Sequence, residues 1–246
     1  MLTLPFELER DRAPQIGLIA LQSDESIERD MWRLLPSDVE LLVSRVPSGT
    51  HVTQETLAEM EGALGTAAGL FPVSAEFSAI GYGCTSGTAQ IGADKVKAAV
   101  RSTLDVKSVT EPVSALIGAC RHLNVSRLGL LTPYVAEVSD RLRDVLAESG
   151  ITITGFGSFN ESEEGKVARI ASTSIVAAAI EVVEMDELDA LFISCTNLRT
   201  LDVIEEIEQK TGMPVLSSNL VLAWHLLDLV GLKPSADAPG RIWTAS

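Results

Sequence analysis

Cysteine is scarce in this chain of 246 residues, which holds three: Cys84, Cys120 and Cys195. An odd, widely spaced set is no disulfide framework, so a reducing, cytoplasmic setting is expected. Histidine is as rare. His51, His122 and His225 lie far apart without metal-ligand spacing, and no metal is expected. Cations are outnumbered, with 19 Lys and Arg against 34 Asp and Glu and a net charge of −15. Nucleic-acid binding needs clustered Lys and Arg, so that class is excluded. The same charge gives an anionic substrate no long-range steering. No apolar run approaches the roughly 20 residues of a membrane span. Met1 to Arg12 mixes acidic and basic residues without an apolar core, so neither membrane insertion nor a secretory signal is expected. The glycine-bearing run Gly81-Tyr82-Gly83-Cys84-Thr85-Ser86-Gly87 misses both the dinucleotide fingerprint and the P-loop spacing. No Gly-x-Ser-x-Gly elbow occurs. No cofactor is expected.

What is present is a repeating α/β pattern. An apolar content of 46% suits one large or two small packed domains. Strand-like runs fall at 16–21, 39–46, 77–83, weakly at 106–109, then at 127–131, 151–156, 188–194 and 214–216. Helical patterns fill the intervals: one from Asp24, a plausible N-cap, then 53–70, 88–100, 113–122, 135–149, 164–183, 200–210 and 219–229. Gly150 and Gly212 sit where helix C-caps belong. Such alternation implies parallel sheets covered on both faces.

The pattern also repeats. Gly17-Leu18-Ile19 answers Gly129-Leu130-Leu131 at 129 − 17 = 112, and Val39 to Val43 answers Ile151 to Gly155 at the same offset. Cys84 and Cys195 stand 195 − 84 = 111 apart. The expected architecture is therefore two pseudo-symmetric, Rossmann-like α/β lobes with an active-site cleft between them. Residues 1–112 with 217–246 form the first lobe and 113–216 the second. Ligands of open parallel sheets bind beyond the carboxyl ends of the strands, where both cysteines lie.

Each cysteine ends an apolar run and opens a polar turn expected to lead into a helix. The helix dipole and free N–H groups there favour thiolate and predict a pKa below about 8.5. The hydroxyls of Thr85, Ser86 and Thr196, with Asn197, offer neutral partners for a carboxylate. An isolated free cysteine is ordinarily a small buried hydrophobe, and Cys120, inside a helical run, reads that way. Equivalent placement in two halves sets the other two apart. Two thiols on opposite faces of one carbon can perform a two-base proton transfer, or one thiolate can add to an activated double bond.

The segments Cys84-Thr85-Ser86-Gly87-Thr88 and Ser194-Cys195-Thr196-Asn197-Leu198 resemble the paired motifs of the aspartate/glutamate racemase superfamily. Within it the resemblance is to the branch holding maleate cis–trans isomerases, arylmalonate decarboxylases and the ectoine-utilisation protein A group. The resemblance implies two lobes around a shared cleft and a cofactor-independent enzyme, Cys84 matching the first family cysteine and Cys195 the second. Isomerases and racemases keep both, whereas decarboxylases keep the second alone. Tyr134 matches a tyrosine that contacts substrate in maleate isomerases.

Two positions depart from that pattern. Asp24 stands where maleate isomerases have an Asn that touches a substrate carboxylate. Glu164 stands three residues before Val167, where the family also has an Asn. An anionic side chain beside a substrate carboxylate is repelled unless it is protonated, whereas a substrate ammonium would pair with it. Otherwise Asp24 only caps its helix, and the run Glu161 to Glu164 is a solvated helix start. The expectation is thus an isomerase or racemase, forming a homo-oligomer, whose substrate is maleate-like or an aspartate-like amino acid of ectoine breakdown. The alternatives are an arylmalonate-type decarboxylase and a non-catalytic small-ligand-binding protein.

Overall fold

A computed structural model describes residues 1–9 and 12–244; positions 10, 11, 245 and 246 of the expected first lobe lie outside the described residues. The first half runs β1 (Gln15–Leu21), α1 (Ile27–Leu34), β2 (Glu40–Val46), α2 (Gln54–Ala68), β3 (Phe77–Gly83), α3 (Thr85–Ile91), α4 (Ala93–Arg101), β4 (Val109–Thr110) and α5 (Pro112–His122). The second runs β5 (Arg127–Thr132), α6 (Ala136–Glu148), β6 (Thr152–Ser158), α7 (Glu164–Val167), α8 (Ser172–Val183), β7 (Ala190–Ile193), α9 (Ile204–Thr211), β8 (Val215–Ser217) and α10 (Ser218–Val230).

These elements build two four-stranded parallel sheets of the same order, β2-β1-β3-β4 and β6-β5-β7-β8. Each central strand is buried because helices cover both faces. β1 is buried at every position, as its unbroken apolar composition requires. Strand register turns the repeat into geometry. Gly17 pairs with Ile80 in the first sheet and Gly129 with Leu191 in the second. Cys84 lies four residues beyond Ile80, and Cys195 four beyond Leu191. The two thiols therefore occupy equivalent places at the carboxyl ends of equivalent strands.

The helices differ from expectation where backbone geometry interrupts a helical pattern. Gly92, at φ +98°, divides the expected helix 88–100 into α3 and α4, a conformation a side chain would resist. The expected helix 164–183 is broken between Val167 and Ser172, where Ala171 is extended at ψ 142°. The helix expected from residue 200 starts only at Ile204. Residues 195–203 form linked turns, closed by Thr200 N–H on the Leu198 carbonyl and Val203 N–H on the Thr200 carbonyl. Cys84 thus opens a helix directly and Cys195 does not. The weak strand at 106–109 reduces to β4, which pairs with Ile80 and Gly81.

Among the bonds that join the halves, two sets flank the cysteines. At the inner seam, Thr85 Oγ1 donates to Ser218 Oγ at 2.7 Å, Cys195 N–H donates to the same oxygen at 3.0 Å, and Thr196 Oγ1 donates to the Gly83 carbonyl at 3.2 Å. α10 follows β8 but packs on α5, β3 and α1 of the first half. At the outer side, Val52 N–H reaches the Ser162 carbonyl at 2.8 Å and Glu164 N–H reaches the Thr50 carbonyl at 3.0 Å. His51 and Glu163 form an antiparallel bridge between these bonds. A backbone strap thus joins the β2–α2 loop to the loop before α7.

Candidate active site

Cys84 is the N-cap of α3, and its Sγ accepts the Gly87 N–H at 3.1 Å. The glycine is needed there. A Cβ on Gly87 would sit 2.8 Å from that sulfur and 2.7 Å from the Tyr82 hydroxyl. Cys195 takes φ +97°, an uncommon conformation for a residue with a side chain that the surrounding structure has to hold. The Ser218 hydroxyl holds it through the Cys195 N–H. Both cysteines are buried, as is Cys120 within α5.

The two thiols share one environment. Tyr134 is fully buried with its hydroxyl accepting from Ser194 Oγ at 3.3 Å. Burial raises its pKa well above the ordinary value, and both Cys195 and Cys84 act on it electrostatically. Glu164 also acts on both sulfurs. Hydrogen bonds bring the two turns together: Thr85, next to Cys84, shares the Ser218 hydroxyl with the Cys195 N–H, and Thr196, next to Cys195, bonds the Gly83 carbonyl.

The acidity of the thiols runs opposite to the sequence expectation. Burial pushes Cys84 up to about 12, although the Gly87 N–H favours its thiolate. Burial likewise holds Cys195 well above the ordinary thiol value, and the carboxylates of Glu164 and Asp24 add to the rise. The expected helix-terminal N–H groups are present, but desolvation and negative neighbours outweigh them. At pH 7 a thiol of pKa about 12 holds roughly a thousandfold less thiolate than one near 8.5. Iodoacetamide at neutral pH should therefore label native Cys84 and Cys195 far more slowly than the unfolded chain. Mass spectrometry of alkylated peptides checks this; equal native and unfolded rates would contradict the buried, protonated thiols.

Asp24 and Glu164 are both buried. The N-cap of α1 is Ser26, two residues later than the Asp24 expected, but Asp24 Oδ1 still accepts the N–H groups of Ser26 and Ile27, each at 2.8 Å, and so caps the helix from outside it. Its Oδ2 is buried without a hydrogen-bond partner among the described residues. Burial raises its pKa above the usual carboxylate range. Glu164 Oε2 accepts from Asn197 Nδ2 at 2.7 Å; burial, with Asp24 adding, lifts it to about 7. The expectation of a solvated acidic run from Glu161 to Glu164 is corrected at its last member. Glu161 and Glu163 pair with Lys166 at the surface, whereas the strap turns Glu164 inward.

The remaining candidates divide by what their side chains already hold. Asn197 is committed at both ends, its Oδ1 accepting the Glu25 N–H at 2.8 Å and its Nδ2 donating to Glu164. Thr85 and Thr196 spend their hydroxyl protons on the seam. Ser86 Oγ lies 3.8 Å from Cys84 Sγ.

Sequence reasoning passed over Ser218 and Asn219. Asn219 Nδ2 donates to Asp30 Oδ2 and to the Thr196 carbonyl, both at 2.8 Å, and so fixes the backbone beside Cys195. The signal was available. Ser217-Ser218-Asn219 is a polar turn at a strand end, the same rule that singled out the cysteines. Among the described residues, no cluster of three or more His, Cys, Asp or Glu could hold a metal, and no helix is long and apolar enough to cross a membrane.

A pair of four-stranded parallel sheets of the same order, with cysteines at equivalent strand ends, defines a two-lobed α/β protein of the aspartate/glutamate racemase type. The profile of the arylmalonate decarboxylase family matches residues 87–243, well over half of the chain, and the protein belongs to that family. Among curated relatives it is 31% identical over 119 residues to an arylmalonate decarboxylase of Bordetella bronchiseptica, covering 48% of this chain and 50% of that protein. A maleate isomerase of Nocardia farcinica is 27% identical over 134 residues, covering 54% and 53%. The chain thus spans about half the length of these two relatives. Over a longer range it superposes on a liganded double mutant of arylmalonate decarboxylase with a TM-score of 0.85, at 27% identity over 95% of this chain and 100% of the other.

Proposed function

We propose that the protein is a cofactor-independent isomerase or racemase of a small carboxylate, working through Cys84 and Cys195. The observation that carries this reading is that the two cysteines end equivalent strands and adjoin across the seam, where Thr85 and the Cys195 N–H share the Ser218 hydroxyl. With a substrate carbon between them, one sulfur as thiolate removes a proton while the other, as thiol, delivers one to the opposite face. With an activated double bond between them, one thiolate adds to it, rotation follows about the resulting single bond, and elimination restores the thiolate. The high thiol pKa makes whichever thiolate forms a strong base. Ser218 and Asn219 position the backbone at Cys195 without touching its sulfur, whereas the Gly87 N–H bonds the Cys84 sulfur itself.

The kinship with arylmalonate decarboxylases supports a second reading, decarboxylation with one cysteine reprotonating the product. Incubation with four- and five-carbon dicarboxylates and amino acids in heavy water, followed by proton NMR, separates the schemes. Deuterium entering a single carbon with inversion supports two-base transfer. Geometric isomerisation without obligatory exchange supports thiolate addition. Carbon dioxide release from a malonate, with no isomerisation of any compound, would replace both with the second reading.

A further inference from the structure

We propose that Asp24 and Glu164 form a cation-binding subsite beside the thiols, so that the substrate is a small carboxylate carrying an ammonium group at or next to the reacting carbon. This rests on the two-thiol reading of the cleft and names the class of molecule it takes.

Both acids are buried and meet at Asn197, two residues after Cys195; the Asn197 side chain donates to Glu164 and accepts the Glu25 N–H next to Asp24. The fold accounts for only part of their hydrogen-bonding capacity. Asp24 Oδ1 is used by the cap of α1, and Glu164 Oε2 by Asn197. Asp24 Oδ2 is left buried with no partner among the described residues. The neighbouring Thr196 hydroxyl gives its proton to the Gly83 carbonyl instead. Arg45 lies nearby but is committed: it donates to the carbonyls of Leu21 and Asp24 and pairs with Glu28. Helix capping therefore explains one oxygen of Asp24 and leaves the other needing a donor.

Two buried carboxylates, of which Asp24 raises the pKa of Glu164, resist joint ionisation unless a cation or protons neutralise them. A ligand ammonium supplies both the charge and the N–H donors, and charge-assisted bonds of this kind are the stronger ones. A plain dicarboxylate would instead add negative charge to an acidic pocket. The ammonium would also offset the two carboxylates that oppose ionisation of the thiols, so the correct ligand would help generate its own base.

The test is equilibrium binding by calorimetry, independent of turnover, with matched probes: aspartate against succinate and glutamate against glutarate. The wild-type protein should favour the amino member of a pair by about tenfold or more. Asp24→Asn, which keeps the capping oxygen, and Glu164→Gln should each erode that preference, mainly by weakening the amino acid. No amine preference in any pair, or equal weakening of both members by the variants, would overturn the subsite. Heavy-water exchange separates this from the parent reading: amine preference without any exchange leaves the subsite standing and removes the two-thiol chemistry.

Discussion

Cys84→Ser and Cys195→Ser should each lower turnover by about a thousandfold or more, the scale on which a positioned acid or base contributes. Serine preserves the geometry. At position 84 its oxygen can accept the Gly87 N–H that the sulfur accepts at 3.1 Å, and at position 195 the backbone bond to Ser218 is untouched. What serine lacks is a side chain that ionises in this range. Because the thiols act as a pair, the double variant should lose little more than either single one, the non-additivity expected of groups that work together. If the reaction is a two-base racemisation, each single variant should still exchange the substrate proton of one enantiomer in heavy water, without inversion, and the two variants should choose opposite enantiomers. Steady-state kinetics and NMR together read this out. Turnover within a few fold of wild type in either variant would remove that cysteine from the mechanism.

Stability should peak in mildly acidic solution and fall toward pH 8. Burial raises Asp30 from 3.8 to about 6 and Glu164 from 4.5 to about 7. Between each pair of values the unfolded chain has lost its proton and the native protein still holds it. The native state then binds more protons, so stability declines as pH rises through that window. The contribution is fully present below about pH 4 and spent by about pH 7. Each pKa unit corresponds to about 1.4 kcal/mol, so the two groups together bring a loss of several kcal/mol. That is on the order of 10 °C in Tm for a chain of this size. Below pH 4 the slope reverses through Asp189, whose carboxylate is held low by the N–H groups of Arg127 and Ser126. His225, lowered by burial, opposes the acid gain modestly. Thermal melts from pH 4.5 to 8 check the trend, and Asp30→Asn should flatten part of it. A Tm that rises across that range would contradict the buried, proton-holding acids.

The repeat in sequence carried the plan of the molecule because parallel strands leave a plain mark: apolar runs at a fixed offset, such as Gly17 against Gly129. Strand register then places Cys84 and Cys195 at matching ends, as their spacing implied. Other features depend on contacts distant in sequence. Nothing local to Glu164 announces that its backbone N–H will bond Thr50 and draw it out of an otherwise solvated acidic run. The raised thiol pKa arises the same way, from burial under both halves and from carboxylates of two different loops. The break at Gly92 and the linked turns after Cys195 are local, but a helical pattern of side chains does not report φ.

The seam and the strap differ in kind, and that difference sets how the cleft can sort molecules. Along the seam, the Ser218 hydroxyl receives bonds from Thr85 and from the backbone of Cys195 itself, like the spine of a book. The strap is a clasp of few backbone bonds between loops, tied back by Asn197 from Glu164 to the turn after Cys195. If the two thiols work as proposed, the hydroxyl shared by both strand ends sets their spacing before any ligand arrives. Substrates would then be graded by their thickness at the carbon between the thiols rather than by their length.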